Sequence, residues 1–424
     1  MGYKHRTTPF IDELAKKGVL FKSAYTNGPG TRFALKSMFC SVYPTQIKGL
    51  GLPLDHPPTL AELLKSCGYS TAGFHTNGYL SSSFNYDRGF DVFYDIDMWK
   101  SSFFDRIIIE TRRLLSDFSR NRLHKTIMFR RGVPHLWRDF KFLNKSLYGD
   151  ELTGKALRWV KKQGNPFFLW IHFMDVHHPY LIRKQGPKIK RNDRNYLTEG
   201  KFTEDELEEL IDIYDDQIRY VDTLIEQFLG EVSGFSSRET VSIITSDHGE
   251  QFMERGGFHT AVPYQEMVHV PLIMAGNGMP EDMEIDTPVS HIDLVPTVMD
   301  MIGHQAGWWA EGRSLLPCFE KGTMRNKMVF INYGEEKKEV RAILDNEKKL
   351  VFEVKSGTWE FYDLVSDPFE RNNLYEEGDA VQEEMKRKME EKNYAAKSKA
   401  SYMVKETDVS KHVVDQLKAL GYLD

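Results

Sequence analysis

Apolar residues along this chain alternate between short unbroken runs and helical stripes, the signature of strands interleaved with amphipathic helices. The run Pro166-Phe167-Phe168-Leu169-Trp170-Ile171-His172-Phe173 has the density of a strand buried on both faces of a parallel sheet. Val241-Ser242-Ile243-Ile244-Thr245 and Pro271-Leu272-Ile273-Met274-Ala275 have the same character. Between the first two, residues 204–228 place Leu207, Leu210, Ile211, Tyr214, Ile218, Val221, Leu224 and Ile225 on one helical face. Strand, helix and strand in this order predict right-handed crossovers and a doubly wound α/β sheet flanked by helices.

The flanking segments fit around that centre. Thr8-Pro9-Phe10-Ile11-Asp12-Glu13-Leu14-Ala15 reads as a helix with proline in its first turn, stopped at Gly18 before a short strand Val19-Leu20-Phe21. Thr59-Leu60-Ala61-Glu62-Leu63-Leu64 reads as a capped helix ending near Gly68, and Ser70-Thr71-Ala72-Gly73-Phe74 as the strand after it. After about Gly312 the pieces become short and β-rich, as in Lys327-Met328-Val329-Phe330-Ile331, Arg341-Ala342-Ile343-Leu344 and Trp359-Glu360-Phe361-Tyr362-Asp363-Leu364. The expected organisation is an α/β domain over residues 1–310, a small C-terminal α+β subdomain over 311–375, and a charged helical tail over 376–424 whose role is mainly a solvated surface.

Composition agrees with a large buried core, since 41% of the 424 residues are hydrophobic and 28% charged. No stretch approaches the ~18 apolar residues of a spanning helix, and Met1-Gly2-Tyr3-Lys4-His5-Arg6 lacks the apolar core of a secretion signal, so the default location is cytoplasmic. Cys40, Cys67 and Cys318 lie far apart, which argues against a disulfide framework or a cysteine zinc site. The net charge of −6 conceals an uneven distribution, because 12 Lys and Arg face 4 Asp and Glu between Lys100 and Lys145. That stretch, about residues 100–145, reads as a basic amphipathic insert that covers the domain, touches an anionic membrane surface or receives an anionic substrate. No nucleic-acid partner is expected.

In open α/β sheets ligands gather beyond the carboxyl ends of the strands, so polar residues there are candidates for chemistry. Asp247 and His248 follow the strand ending at Thr245, with Gly249 allowing a tight turn, and suit a hard or borderline divalent cation. His259 comes 11 residues beyond His248, after Gly256-Gly257-Phe258. Asp175, His177 and His178 follow the strand ending at Phe173, where a single histidine would read as structural. Thr31 stands at the start of a helix after Asn27-Gly28-Pro29-Gly30. Its bland role is a cap, but the same position aims backbone N–H groups and the helix dipole at any bound anion.

Together these residues resemble the sulfatase family of the alkaline phosphatase superfamily, specifically its microbial sulfatase-like branch, over nearly the whole chain. The resemblance rests on Gly2-Tyr3 through Thr7-Thr8-Pro9-Phe10-Ile11-Asp12-Glu13-Leu14-Ala15, on Tyr43-Pro44, and on Asp87-Arg88-Gly89-Phe90-Asp91. It continues through His172-Phe173-Met174-Asp175-Val176-His177-His178-Pro179-Tyr180, Ser246-Asp247-His248-Gly249-Glu250 and Ser290-His291-Ile292-Asp293-Leu294-Val295-Pro296-Thr297. Gly312-Arg313-Ser314-Leu315, Tyr362-Asp363-Leu364 and Asp367-Pro368 complete it. The resemblance implies a hydrolase of sulfuric, phosphoric or phosphonic esters. Asp247 and His248 look like ligands of a divalent metal ion (Ca, Mn, Mg or Zn), joined by Thr31 at the nucleophile position. His177 and His259 look like groups that contact the anionic ester or protonate its leaving group.

The chain departs from the family pattern in two places. Where sulfatases carry C/S-x-P-x-R, with a residue oxidised to formylglycine, it reads Thr31-Arg32-Phe33-Ala34-Leu35, so no formylglycine is expected and threonine attacks directly. Arg32 or Lys36 is then the candidate cation for binding the substrate. The family also begins with an apolar strand ending in an acidic pair, whereas this sequence opens at the Gly-Tyr that follows it. A misplaced start, a fragment or a degenerate relative would each account for that, and the expectation is weak metal affinity and poor activity or stability. Two alternatives to hydrolysis stand beside it: a phosphoryl or phosphoglycerol-type transferase, and an inactive sulfatase-like binding protein.

Overall fold

The computed structural model describes residues 3–95, 149–164, 166–178, 180, 202–235, 239–323, 328–334, 338–399 and 402–403. The basic insert and the last part of the charged tail lie outside these residues.

The amino-terminal elements follow the hydrophobic pattern. Pro9 opens α1 (Pro9–Lys16), which leads into β1 (Gly18–Phe21) and β2 (Ala24–Tyr25). The Gly/Pro turn then enters α2 (Thr31–Cys40), followed by β3 (Ile47–Lys48). Thr59 caps α3 (Leu60–Ser66) by accepting from the Glu62 amide, while the Glu62 carboxylate returns to the Thr59 amide. The parallel strands β4 (Ser70–His75) and β5 (Val92–Tyr94) complete this part.

The central unit contains α4 (Gly149–Val160), β6 (Phe167–His172), the long α5 (Glu204–Phe235) and β7 (Val241–Thr245). Next come α6 (Gln265–Val268), β8 (Leu272–Gly276), β9 (Met283–Ile285), β10 (Val289–Ser290), α7 (Leu294–Met301) and α8 (Leu316–Lys321). α5 is tied to α1 by the Asp222 carboxylate, which accepts the amides of Phe10 and Ile11 at 3.0 and 2.9 Å and so satisfies the first turn of α1. α2 buries Ala34, Leu35 and Phe39 in a core shared with Leu52 and Tyr86. No helix among the described residues is long and apolar enough to cross a membrane.

Sheet pairing corrects two details of the sequence reading. β5, β4 and β6 are parallel, but β7 pairs antiparallel with β8, which in turn pairs antiparallel with β1. The chain between β7 and β8 carries the Asp247-His248 turn and the short α6 rather than a crossover helix, and β8 returns beside β7 in the opposite direction. β6 was expected to be buried on both faces, yet all of its residues are only half-buried. The reason is an interruption: among the described residues β6 pairs only with β4, and β7 only with β8. These two strand edges flank a cavity of about 2100 Å³, walled by residues 166–174 on one side and 239–250 on the other.

The C-terminal subdomain is an antiparallel meander of β11 (Met328–Tyr333), β12 (Val340–Asp345), β13 (Lys348–Glu353) and β14 (Thr358–Asp363). β13 was not expected, because Lys348 and Lys349 disguise its apolar half. α9 (Ala380–Ser398) belongs to the subdomain rather than to a solvated tail, since Met385, Met389 and Ala396 pack on Phe330, Ile343, Leu350 and Phe361. The charged residues of α9 occupy its other face, which hid this stripe. β15 (Tyr402–Met403) then pairs with β3. Met389 is fully buried, so Met389→Ala is expected to lower the unfolding free energy by about 2–4 kcal/mol in a urea titration. An unchanged midpoint would return α9 to the status of a tail. Cys40, Cys67 and Cys318 are free thiols, and the first and last are buried.

Candidate active site

Two strand ends and one helix start converge beside the cavity. Thr31 is the first residue of α2 rather than its cap, a place taken by Gly30, and its hydroxyl donates to Asp247 Oδ2 at 2.7 Å. Asp247 and His248 follow β7 in a tight turn, with the His248 amide donating to Asp247 Oδ1 at 3.0 Å. Gly249 is required there, because a Cβ would lie 2.0 Å from the Glu266 carbonyl oxygen. His248 Nδ1 meets the Gly249 carbonyl at 2.7 Å, which leaves Nε2 on the side of Asp247, 3.7 Å from Oδ2. A hydroxyl, a carboxylate oxygen and an imidazole nitrogen thus face one place, and both Asp247 and His248 line the cavity.

Across from them stand the other predicted histidines. His177 and His259 meet ring to ring, with centroids 4.9 Å apart and planes nearly perpendicular. His259 Nδ1 lies 2.9 and 3.0 Å from the two carboxylate oxygens of Glu250, and the Tyr180 hydroxyl donates to Glu250 Oε2 at 2.7 Å. His177 turns its Nδ1 to the His178 carbonyl. His259 is held at a φ of +50°, an unusual backbone state for a residue with a side chain.

Burial sets the charges. It pushes His177 down to about 3, helped by His259, and lowers His172 as well. It pushes the Glu250 carboxyl up, but the hydrogen bond and charge of His259, with Tyr180, outweigh it and hold the group at about 2. Burial acts upward on Asp247 too, yet His248, His172 and the Thr31 hydroxyl keep its carboxyl well below the usual carboxylate range. The site therefore presents two buried anions, Asp247 and Glu250, beside His172 and His177, whose charged forms burial disfavours.

Not every expected residue arrives as a substrate group. Lys36 is 2% exposed, and its ammonium donates to the carbonyls of Ile47 and Gly49 at 2.9 and 2.7 Å. The Arg32 guanidinium lies 4.5 Å from the centre of the Phe33 ring, and near Tyr79 it offsets part of the rise that burial gives that hydroxyl's pKa. Asp175 accepts the Gly149 amide and so starts α4. The residue reading did not single out Glu250, Tyr180, His172 or His291. Glu250 had a visible signal, as the acid closing the Ser246-Asp247-His248-Gly249 turn. His291, whose Nε2 is 3.1 Å from Thr245 Oγ1, had only its motif. His5, Asp212 and Asp215 form another group, with ligand-type atoms within 4.8 Å of one another.

A hydroxyl bonded to a carboxylate at a helix start, with a carboxylate-anchored imidazole nearby in the fold, offers the kinds of group that ester chemistry uses. The comparisons agree with that class. The sulfatase family profile matches residues 1–304, and the profile of the N-sulphoglucosamine sulphohydrolase C-terminal region matches residues 253–415. The chain belongs to the sulfatase family. A sulfatase of Formosa agariphila is 26% identical over 51% of this chain and 48% of its own length. Arylsulfatase K of Rattus norvegicus is 24% identical over 76% of this chain and 60% of its own. The chain thus spans about half to three fifths of the length of these relatives.

Solved structures share the fold. One, determined with its substrate D-glucosamine-2-N,6-O-disulfate, superposes with a TM-score of 0.65 at 17% identity, covering 93% of this chain and 94% of the other. The phosphonate monoester hydrolase of Agrobacterium radiobacter gives 0.66 at 19% identity, covering 93% and 92%.

Proposed function

We propose that the protein is a divalent-cation-dependent hydrolase of sulfuric esters, with phosphoric and phosphonic esters as related substrates, and that Thr31 is its nucleophile. The observation that carries this reading is the 2.7 Å hydrogen bond joining Thr31 to Asp247 across 216 residues of chain. The named relatives support sulfate esters, and the phosphonate hydrolase among the structural neighbours supports the wider range.

Asp247, His248 and the Thr31 hydroxyl are the groups that would hold the cation. Their chemistry fits a hard or borderline divalent ion. So does their charge, because the only ion-pair contact of Asp247 among the described residues is His248 at 3.7 Å. When bound, the ion supplies positive charge beside the hydroxyl and the ester oxygens. Thr31 Oγ bonds to sulfur or phosphorus as the bond to the leaving oxygen breaks. The hydroxyl proton passes to Asp247 Oδ2, and the leaving oxygen takes a proton from His259 Nε2. Glu250 holds His259 through Nδ1 and stabilises its charged form. Water then attacks the covalent ester, His259 accepts its proton, and Asp247 returns one to Thr31. The N-terminus of α2, with its backbone N–H groups and positive dipole end, would favour the anionic oxygens of the ester.

Three donors are few for such an ion, which takes about six or more ligands when the ion is Ca²⁺ or Mg²⁺. Water or the substrate's own oxygens would complete its shell. Elemental analysis of the purified protein should show about one equivalent of a divalent metal, with hydrolysis of aryl sulfate lost on chelation and regained when the metal is restored. Turnover that survives complete removal of the metal would overturn the cation's role. Stoichiometric metal with no turnover of sulfate, phosphate or phosphonate esters would instead support a binding protein that has lost catalysis.

A further inference from the structure

His259 is carried by a small hairpin. The His259 amide donates to the Gln251 carbonyl, Phe252 and Phe258 bridge, and the Met253 amide donates to the Gly257 carbonyl. Arg255 sits at the tip of this hairpin, yet its side chain does not point to solvent. It reaches the C-terminal subdomain, where Nη2 donates to the carbonyls of Glu370 and Phe369 at 2.7 and 3.1 Å. Its Nε also donates to Glu266 at 3.2 Å, and its guanidinium lies 3.5 Å from the centre of the Tyr264 ring.

The receiving end is built deep in the protein. Glu370 pairs with Lys349 of β13 at 2.5 Å, and both side chains have zero exposure. The other Glu370 oxygen accepts the Gln265 amide, the first of α6, at 2.7 Å. The Tyr264 hydroxyl donates to Glu360 of β14 at 2.8 Å. Glu370 itself has a φ of +53°, a backbone state that persists only where surrounding contacts over-determine it. A fully buried ion pair is poor evidence of stabilisation, because desolvation offsets its attraction, but it does impose one arrangement on what it touches. Here it touches the base of the hairpin through Gln265, and the residue that fixes the pair's backbone is the one Arg255 grips at the tip.

We infer that the C-terminal subdomain is a positioning device for the catalytic hairpin, with Arg255 as the positioning residue that docks the hairpin onto the Glu370–Lys349 pair and so sets His259 against the substrate's leaving group. The inference rests on the proposed acid role of His259 for its effect on turnover, but not for the clamp itself. Arg255 touches neither substrate nor reacting atoms, and it acts through the hairpin backbone. The device also accounts for a catalytic loop anchored outside its own domain on Glu360 of β14 and on Phe369 and Glu370 after it.

The decisive variant is Arg255→Gln, since Arg255 is partly exposed and its loss removes its own 3.7 Å contact with the Glu370 carboxylate while Lys349 still pairs with that group. Hydrogen exchange of the amides in residues 251–259 should speed up in this variant while exchange in β11–β14 stays as it was. Unchanged exchange in the hairpin overturns the clamp. In turnover, Arg255→Gln should lower kcat for esters with poor leaving groups by about 10- to 100-fold with KM unchanged, and spare activated aryl esters that need no acid. In a His259→Gln background the same substitution should cost nothing further, and additive losses would overturn action through His259. Arg255→Lys should restore only part, because an ammonium cannot span Glu266 and two carbonyls as a guanidinium does. If His259→Gln alone leaves poor-leaving-group turnover intact, the acid role fails separately, and the exchange measurement still decides the clamp.

Discussion

Thr31→Ala is expected to abolish turnover of sulfate, phosphate and phosphonate esters, with kcat/KM falling by about 10⁴-fold or more, as when a covalent nucleophile is removed from a site whose other parts remain. The folded state should persist. The residue is 4% exposed and its hydroxyl has one partner, Asp247, so the substitution costs about 1–2 kcal/mol from an acceptor left without its donor. Thr31→Ser keeps the hydroxyl at the start of α2 and should keep measurable turnover. Intact activity in the alanine variant would remove Thr31 from the chemistry, whatever the fold.

The second large effect is expected of Asp247→Asn. Asparagine keeps the shape of the side chain and an oxygen for the Thr31 hydroxyl, but it deletes the buried negative charge. Metal affinity should fall by at least about 100-fold, judged against the 10–100-fold typical of groups one shell further out, and turnover should fall with it. Thermal stability should fall in metal-free buffer, because His248, His172 and the Thr31 hydroxyl favour the charged carboxylate over a neutral group at this place. Calorimetric titration with Ca²⁺, Mg²⁺, Mn²⁺ or Zn²⁺ separates the two readouts. Undiminished metal binding would move the cation site elsewhere, and the group of His5, Asp212 and Asp215 would be the place to look.

Much of the scaffold was legible because local rules and burial agreed. The Thr59–Glu62 capping box, Pro9 at the head of α1, and the apolar runs of β6 and β7 all appeared where pattern placed them. The errors share one cause. α9 was read as surface because its charged residues outnumber a narrow stripe of Met385, Met389 and Ala396, and whether a stripe is buried depends on what faces it. β13 was missed because Lys349, fully buried, contradicts the usual place of lysine and is tolerated only through Glu370, 21 residues away. β7 and β8 were given the wrong relative direction because an apolar run does not record which way its partner runs.

What the sequence determined by itself was the family and the chemical inventory: Thr31 after a Gly/Pro turn, Asp247, His248 and His177 just beyond apolar strands, and His259 after Gly256-Gly257-Phe258. Side-chain chemistry and the period of the backbone are local properties, so they survive in one dimension. Which of these groups meet was decided only in three dimensions. Folding brought Thr31 to Asp247, gave Glu250 to His259, turned Lys36 toward main-chain carbonyls, and left β6 and β7 facing each other across a cavity. Distances between residues hundreds apart depend on how elements pack, and packing is a property of the whole chain that no stretch of it carries alone.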